Sequence, residues 1–239
     1  MALSKFYTKQ MNVPDSRNVI CTVDVVLLCL KAGSLHVALL RRDHNPYAGV
    51  LALPGGFVRP ELDQNTSDAA VRMLREKAGL ESPYLEQLAT FSGQARDPRG
   101  WSVSIAYYAL VPPDLLDLTA QPDVTLVPVD VPRALPFDHR EIIAAAVERV
   151  RSKSTYSSLP VYLCGERFTL PQLQSVYEAL LGESLNKVSF RRKMDELDIL
   201  EPIQGEMETG RANRPAQYYR LKAGYRDQLS LCNRGLSSS

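Results

Sequence analysis

The hydrophobic rhythm of this 239-residue chain changes once, near residue 152, and that change constrains its architecture most. Upstream, β-branched runs alternate with turn residues. Val19–Leu30 and Leu35–Leu40 read as buried strands joined by a hairpin turn at Lys31–Ser34. Leu51–Pro60 is punctuated by Gly and Pro. Beyond it Ala70, Val71, Leu74 and Ala78 recur at helical spacing, predicting a helix over about Ser67–Ala78 with Gly79 as its stop. Strands are predicted at about Leu85–Gly93 and Trp101–Val111, and a short one, Val124–Val129, inside the proline-rich loop Pro112–Pro136. Asp138 with Glu141, and Phe137 with Ile142, write a capping box and a hydrophobic staple for a helix reaching about Arg151.

Downstream the pattern becomes helical. Ser152–Ser158 is polar and ends at Pro160, so residues 152–160 read as a linker and Arg149–Pro160 as a hinge. Thr169 caps a helix with Gln172 at the box position, and Gly182 ends it after Leu181. Asn186 caps a second helix through about Leu197. Two extended pieces, Ile199–Ile203 and Gln217–Leu221, flank a Gly/Arg/Asn-rich loop. Helix, turn, helix and hairpin in that order predict a winged helix-turn-helix over residues 161–232, after an α+β domain over residues 1–151. Residues 233–239 form a serine-rich tail.

Composition excludes several classes. Hydrophobic residues are 45% and charged residues 23%, which rules out wholesale disorder and collagen. No apolar run reaches the roughly 18 residues a spanning helix needs, and Met1–Lys5 does not open a secretory signal, so a soluble cytoplasmic protein with no membrane partner is expected. Cys21, Cys29, Cys164 and Cys232 form no C-x-x-C pair and read as reduced, structural thiols. His36, His44 and His139 are scattered, which argues against a His-based metal site.

Total charge nearly cancels, 28 Lys plus Arg against 27 Asp plus Glu, but it is unevenly placed. Residues 1–150 carry 15 basic and 17 acidic side chains; residues 151–239 carry 13 and 10. Local field, not net charge, attracts a polyanion. On the helix from Asn186, the residues Phe190, Met194 and Leu197 form one apolar stripe, leaving Lys187, Ser189, Arg191, Arg192 and Lys193 mostly off it. A helix that reads DNA needs this division, an apolar back and polar groups toward its N-terminus. An isolated helix of this kind reads first as a solvated basic face on an ordinary surface helix. The cationic loop holding Arg211, Asn213 and Arg214 favours DNA, as a wing that contacts phosphate or the minor groove. No aromatic platform for RNA is evident, and Tyr218 and Tyr219 read as wing-strand packing.

Leu53–Pro54–Gly55–Gly56–Phe57–Val58 followed by the helix Ala70–Leu80 resembles the Nudix box, G-x5-E-x7-R-E-U-x-E-E-x-G-U. In Nudix hydrolases the box glutamates hold Mg²⁺, which neutralises pyrophosphate and activates water. Aligned back from Gly79–Leu80, Arg72 matches the motif's Arg and Glu76 the first of its Glu pair. Met73 and Lys77 stand where two carboxylates belong, Gln64 stands at the upstream Glu, and the loop from Gly56 is two residues too long. A thioether is a poor ligand for a hard cation, and an ammonium repels it. The resemblance therefore implies a Nudix α/β/α sandwich with a mixed sheet, no catalytic residue, no metal and no requirement for Mg²⁺. The alternative is an active Mg²⁺-dependent ADP-ribose pyrophosphatase that uses Glu76 with Glu61 or Asp63 as substitute carboxylates.

Arg96–Asp97–Pro98–Arg99–Gly100–Trp101 resembles the loop of Nudix proteins that handle ADP-ribose. Its arginines suit a pyrophosphate, while Trp101 packs on an adenine or ribose or fills the core. Arg41 and Arg42 face a phosphate or lie on the surface. A degenerate Nudix domain followed by a winged helix resembles the Nudix-related transcriptional regulators of NAD metabolism. That resemblance implies a bacterial homodimeric repressor of NAD synthesis or salvage genes that binds double-stranded, palindromic operator DNA and is released by ADP-ribose or a related nucleotide. It places the ligand at Arg41, Arg42, Gly55, Gly56, Arg72, Glu76, Arg96, Asp97, Arg99 and Trp101. It places DNA at Thr169, Asn186, Lys187, Ser189, Arg191, Arg192, Lys193, Arg211, Asn213 and Arg214. The rival to DNA is a protein partner docked on the C-terminal domain.

Overall fold

The structure, a computed structural model, describes residues 19–82, 84–118, 124–131, 134–208, 215–225 and 229. Strand β1 (Ile20–Lys31) is the centre of the larger sheet. Its Val26 and Leu28 enter the core on one face, while Val23, Val25, Leu27 and Cys29 enter the core on the other. That two-residue period lets one apolar run serve two layers. Strand β2 (Ser34–Arg41) returns antiparallel through the two-residue turn Ala32–Gly33, with φ +50° and +76°. Two successive left-handed residues make the hairpin turn that matches strand twist.

β3 (Leu51–Ala52) and β4 (Gly55–Phe57) pair with β2 and β1. β5 (Tyr84–Gly93) and β6 (Ser102–Leu110) extend the sheet, β6 running parallel to β1. β7 (Val124–Pro128) pairs with β2. The result is a mixed sheet ordered β3-β2-β1-β6-β5, with β4 on β1 and β7 on β2. Helices α1 (Thr66–Met73) and α2 (Pro113–Leu118) cover one face, and α3 (His139–Ser154) covers the other. This is the expected α/β/α sandwich with a mixed sheet.

The predicted box helix is shorter than its pattern. After Met73 the chain widens into a π-turn, Leu74–Ala78, ended by Gly79 at φ +67°. The turn carries Glu76 and Lys77, so the residues at the metal positions do not keep regular α spacing. The capping box at α3 is a correction. Asp138 sits at the cap position but makes no side-chain cap bond, because both its carboxylate oxygens are taken by Arg96.

The expected polar linker is also corrected. α3 continues to Ser154, and Ser157, Ser158, Leu159 and Pro160 are buried. The 3-10 turn Leu159–Leu163 and helix α4 (Leu170–Leu181) share one apolar cluster with α3 and the sheet, through Val150, Leu159, Tyr162, Val176 and Leu180. Each fully buried aliphatic side chain contributes about 1.5–3 kcal/mol relative to exposure, enough together to seat the second domain firmly on the first. α4 begins at the predicted capping box, Thr169 with Gln172. Helix α5 (Lys187–Leu197) follows. β9 (Leu200–Glu208), β10 (Ala216–Leu221) and the short β8 (Phe168–Thr169) then form a three-stranded sheet ordered β8-β10-β9. β9 is longer than its apolar letters predicted because Met207 and Glu208 pair with Gln217 and Ala216 past a bulge while burying little. Phe168, Leu173, Tyr177, Phe190 and Met194 make this domain's own core.

Candidate functional site

Asp24, in the middle of β1, anchors a cavity of about 260 Å³ between the Gly–Gly strand, the box helix, the Arg96 loop and the start of α3. Asp24 lies opposite Gly55 in register, and a Cβ on Gly55 would meet Asp24 Oδ1 at 2.1 Å. Only glycine permits that approach. Ser104 Oγ donates to Asp24 Oδ2 at 2.6 Å, Arg96 Nη2 lies 3.7 Å away, and His139 Nε2 is 3.5 Å from Oδ1. His139 Nδ1 accepts the Leu53 N–H at 3.1 Å, so its proton resides on Nε2 and faces Asp24. Burial alone would raise the Asp24 pKa; His139, Ser104 and Arg96 outweigh it and hold the carboxyl below its ordinary value. Arg96 is pinned to Asp138 by two bonds of 2.9 and 2.8 Å. The cavity is thereby tied to the first turn of α3.

The cavity rim is cationic. Arg99 pairs with the buried Asp97 at 2.7 Å and stacks 5.1 Å from the Phe57 ring. Arg42 lies 5.0 Å from the Phe137 ring, and its Nε donates to Pro46 O at 2.8 Å. Burial, then the charge of Arg99, pulls the Arg42 pKa below its ordinary value. An anion between these two arginines would relieve that repulsion. Lys77 and Arg59 complete the rim.

Magnesium seeks hard oxygen ligands, and the box offers few. Met73 is buried with its Sδ under Gly56, where a Cβ would meet it at 2.8 Å. Lys77 lines the cavity at the second position of the Glu pair. Glu76 is held 3.4 Å from Arg72 and 3.9 Å from Arg59. Gln64 is exposed and stands outside the cavity lining. Asp63, the candidate substitute, is locked against Arg72 by two bonds of 2.7 Å, which hold its carboxyl down at about 2. Glu61 is exposed and does not line the cavity. Among the described residues no group of three His, Cys, Asp or Glu is placed to hold a metal ion. Glu76 is thus the one carboxylate at a box position that lines the cavity.

Of the sequence-predicted ligand residues, the fold brings Arg42, Gly55, Gly56, Glu76, Arg96, Asp97 and Arg99 to one cavity. Three lie elsewhere. Arg72 is a structural clamp, bonded to Asp63, to Glu76 and to Phe57 O. Arg41 is exposed and bonds Gly49 O. Trp101 is 45% exposed, which removes the core-filling reading, and it does not line the cavity. Sequence reasoning missed Asp24, Lys77 as a wall residue, Phe57, Phe137 and His139. The isolated Asp in a Val/Leu strand was the one available signal, since a buried carboxylate demands partners.

On α5, Asn186 accepts from the Val188 and Ser189 N–H groups, ordering the first turn. Lys187, Ser189, Arg191 and Arg192 are exposed, and Val188, unnoticed in the sequence, is 77% exposed beside them. Phe190 and Met194 hold the opposite side in the core. Arg192 lies 3.6 Å from Glu196, and Lys193 is half-buried and engaged. Thr169 is corrected as a DNA contact: it is fully buried and spends its hydroxyl on the α4 cap. Arg220 and Lys222 are paired with Glu201 and Asp198. Tyr219 packs on the winged-helix core and Tyr218 lies under Arg167. Arg211, Asn213 and Arg214 lie outside the described residues, as does Cys232; Cys21 and Cys164 are free thiols, and Cys29 is buried in the core.

Comparison with known proteins follows the same division. The NUDIX domain family model matches residues 21–146, and the NrtR DNA-binding winged helix domain model matches residues 160–221. The ADPR responsive transcriptional repressor NtrR of Acinetobacter baylyi is 38% identical over 219 residues, covering 90% of this chain and 87% of that protein. The crystal structure of Shewanella oneidensis NrtR complexed with a 27mer DNA superposes with a TM-score of 0.82 at 37% identity, over 91% of this chain and 99% of that one. The NUDIX domain of the same protein complexed with ADP ribose is 35% identical, with a TM-score of 0.50, over 56% of this chain and 89% of that one.

Proposed function

The chain belongs to the family of Nudix-domain NrtR repressors, and from that premise we propose that it is a cytoplasmic repressor of NAD synthesis or salvage genes, released from operator DNA by ADP-ribose or a related nucleotide. One observation carries the mechanism. α3 begins at the cavity, where Arg96 grips Asp138 and His139 faces Asp24, and ends in the cluster that seats α4 and the 3-10 turn. A 16-residue helix is a rigid rod of about 24 Å. A ligand that shifts its first turn therefore shifts the base of the winged helix.

In this reading the pyrophosphate lies between Arg42, Arg99 and the Gly55–Gly56 backbone, and Phe57 or Phe137 offers a ring to the adenine or ribose. Lys187, Ser189, Arg191 and Arg192, with Val188 for a thymine methyl, face the major groove. Wing residues Arg211, Asn213 and Arg214 take phosphates or the minor groove. Two chains in a dimer present two such helices to a palindrome. Ligand can release DNA only by binding the DNA-competent arrangement less well. Hydrolysis is not part of this function, because Asp63 is committed to Arg72, and Met73 and Lys77 supply no carboxylate.

Fluorescence anisotropy with DNA from the protein's own upstream region tests the proposal. Salt-sensitive binding reversed by ADP-ribose, with no Mg²⁺-dependent release of AMP, is expected. Binding no tighter than to random DNA would remove it.

A further inference from the structure

The cavity's carboxylates can be assigned to cations one by one. Asp24 faces Arg96, Asp97 takes Arg99, and Glu76 faces Arg72 and Arg59. Among the described residues that leaves Lys77 and Arg42 lining the cavity with no carboxylate within ion-pair distance. Lys77 occupies the place where the motif would hold a metal-binding carboxylate. The exchange alters that position by two charge units, from a group that recruits a cation to a group that is one. Met73 closes the neighbouring position with a buried thioether against Gly56.

We propose that Lys77, with Arg42, supplies the counter-charge that a divalent cation provides in a Nudix box, so that the cavity takes a pyrophosphate-bearing ligand without metal. This rests on the reading that an ADP-ribose-like nucleotide enters the cavity. Each phosphate of a pyrophosphate diester carries a negative charge, and a fixed ammonium and guanidinium match that pair without recruiting an ion from solution. A metal entering the same cavity meets repulsion from both.

Isothermal titration of ADP-ribose into the full chain, in EDTA and again in Mg²⁺, tests the proposal. Affinity in EDTA is expected to match that in Mg²⁺ within about twofold, with Lys77→Gln weakening it about tenfold and Lys77→Glu about a hundredfold. Lys77→Glu is further expected to make binding Mg²⁺-dependent. Lys77 is only half-buried, and an unchanged melting temperature in both variants confirms that they fold. Binding of ADP-ribose only in Mg²⁺, or a Lys77→Glu variant as tight as the parent in EDTA, overturns the proposal while leaving the nucleotide reading intact. Inorganic pyrophosphate separates the two claims. If it binds in EDTA and is lost in Lys77→Glu while ADP-ribose does not bind, the charge substitution stands and the nucleotide reading falls. If neither ligand binds in either buffer, both fall.

Discussion

Around the cavity, Arg96 is gripped by Asp138 and Asp24, Arg99 by Asp97 and Arg42 by the Pro46 carbonyl, with Lys77 the exception, whereas on α5 Lys187 and Arg191 have no carboxylate within ion-pair distance among the described residues. The cavity needs fixed groups, because a small ligand is recognised by a few side chains held at set distances. A helix that meets DNA needs free ones, because DNA phosphates replace solvent and counterions around them. Cation count is thus a poor guide to function in this chain. The partners each cation already has are the better guide.

The largest expected effect lies on the cavity side. Asp24→Ala leaves the buried Ser104 hydroxyl and His139 Nε2–H without their acceptor, at about 1–3 kcal/mol each, while Arg96 keeps Asp138. Urea unfolding checks this; a variant as stable as the parent would break the claim that the cavity charges are structurally committed. Arg191→Ala should do the reverse, leaving stability within about 0.5 kcal/mol. Its operator affinity should fall by about 1–3 kcal/mol if Arg191 reads a base. If it contacts phosphate instead, the fall is uniform across sequences and the slope of log affinity against log salt shrinks by about 0.9. Anisotropy at several salt concentrations distinguishes these, and an unchanged titration would take α5 out of the interface.

A third effect is read by lowering the pH. Arg72 holds the Asp63 carboxyl at about 2, against about 3.9 in an unfolded chain. A depressed folded pKa stabilises above the unfolded value, so this contribution is complete above about pH 4 and is lost as the pH falls toward 2. Asp63→Asn should flatten the pH dependence of unfolding within that window and leave its shape above pH 5 unchanged. A variant with the parent's acid slope would show that the pair does not grip the loop as described.

What the sequence revealed follows the reach of each interaction. The Thr169–Gln172 capping box and the apolar stripe of α5 are local and were legible, as were β1, β2 and α4. The matching box at Asp138 misled, because its carboxylate is claimed by Arg96, 42 residues away. The linker misled for a similar reason: serines predict solvent, yet Ser157 is buried and its carbonyl accepts the Tyr177 hydroxyl. Lys77 showed in the sequence only as damage to a motif. Its place on the cavity wall requires the fold. Trp101 offered a ring that suits adenine, and its exposure away from the cavity could not be read from its neighbours.

Coupling of the cavity to α5 through α3, as proposed, is open to measurement by thermodynamic linkage. Titrating ADP-ribose into free protein and into protein saturated with its own upstream DNA measures the coupling from the ligand side. ADP-ribose is expected to bind the DNA complex more weakly, by the same factor that it weakens DNA binding. Equal ADP-ribose affinity in the two states would contradict it.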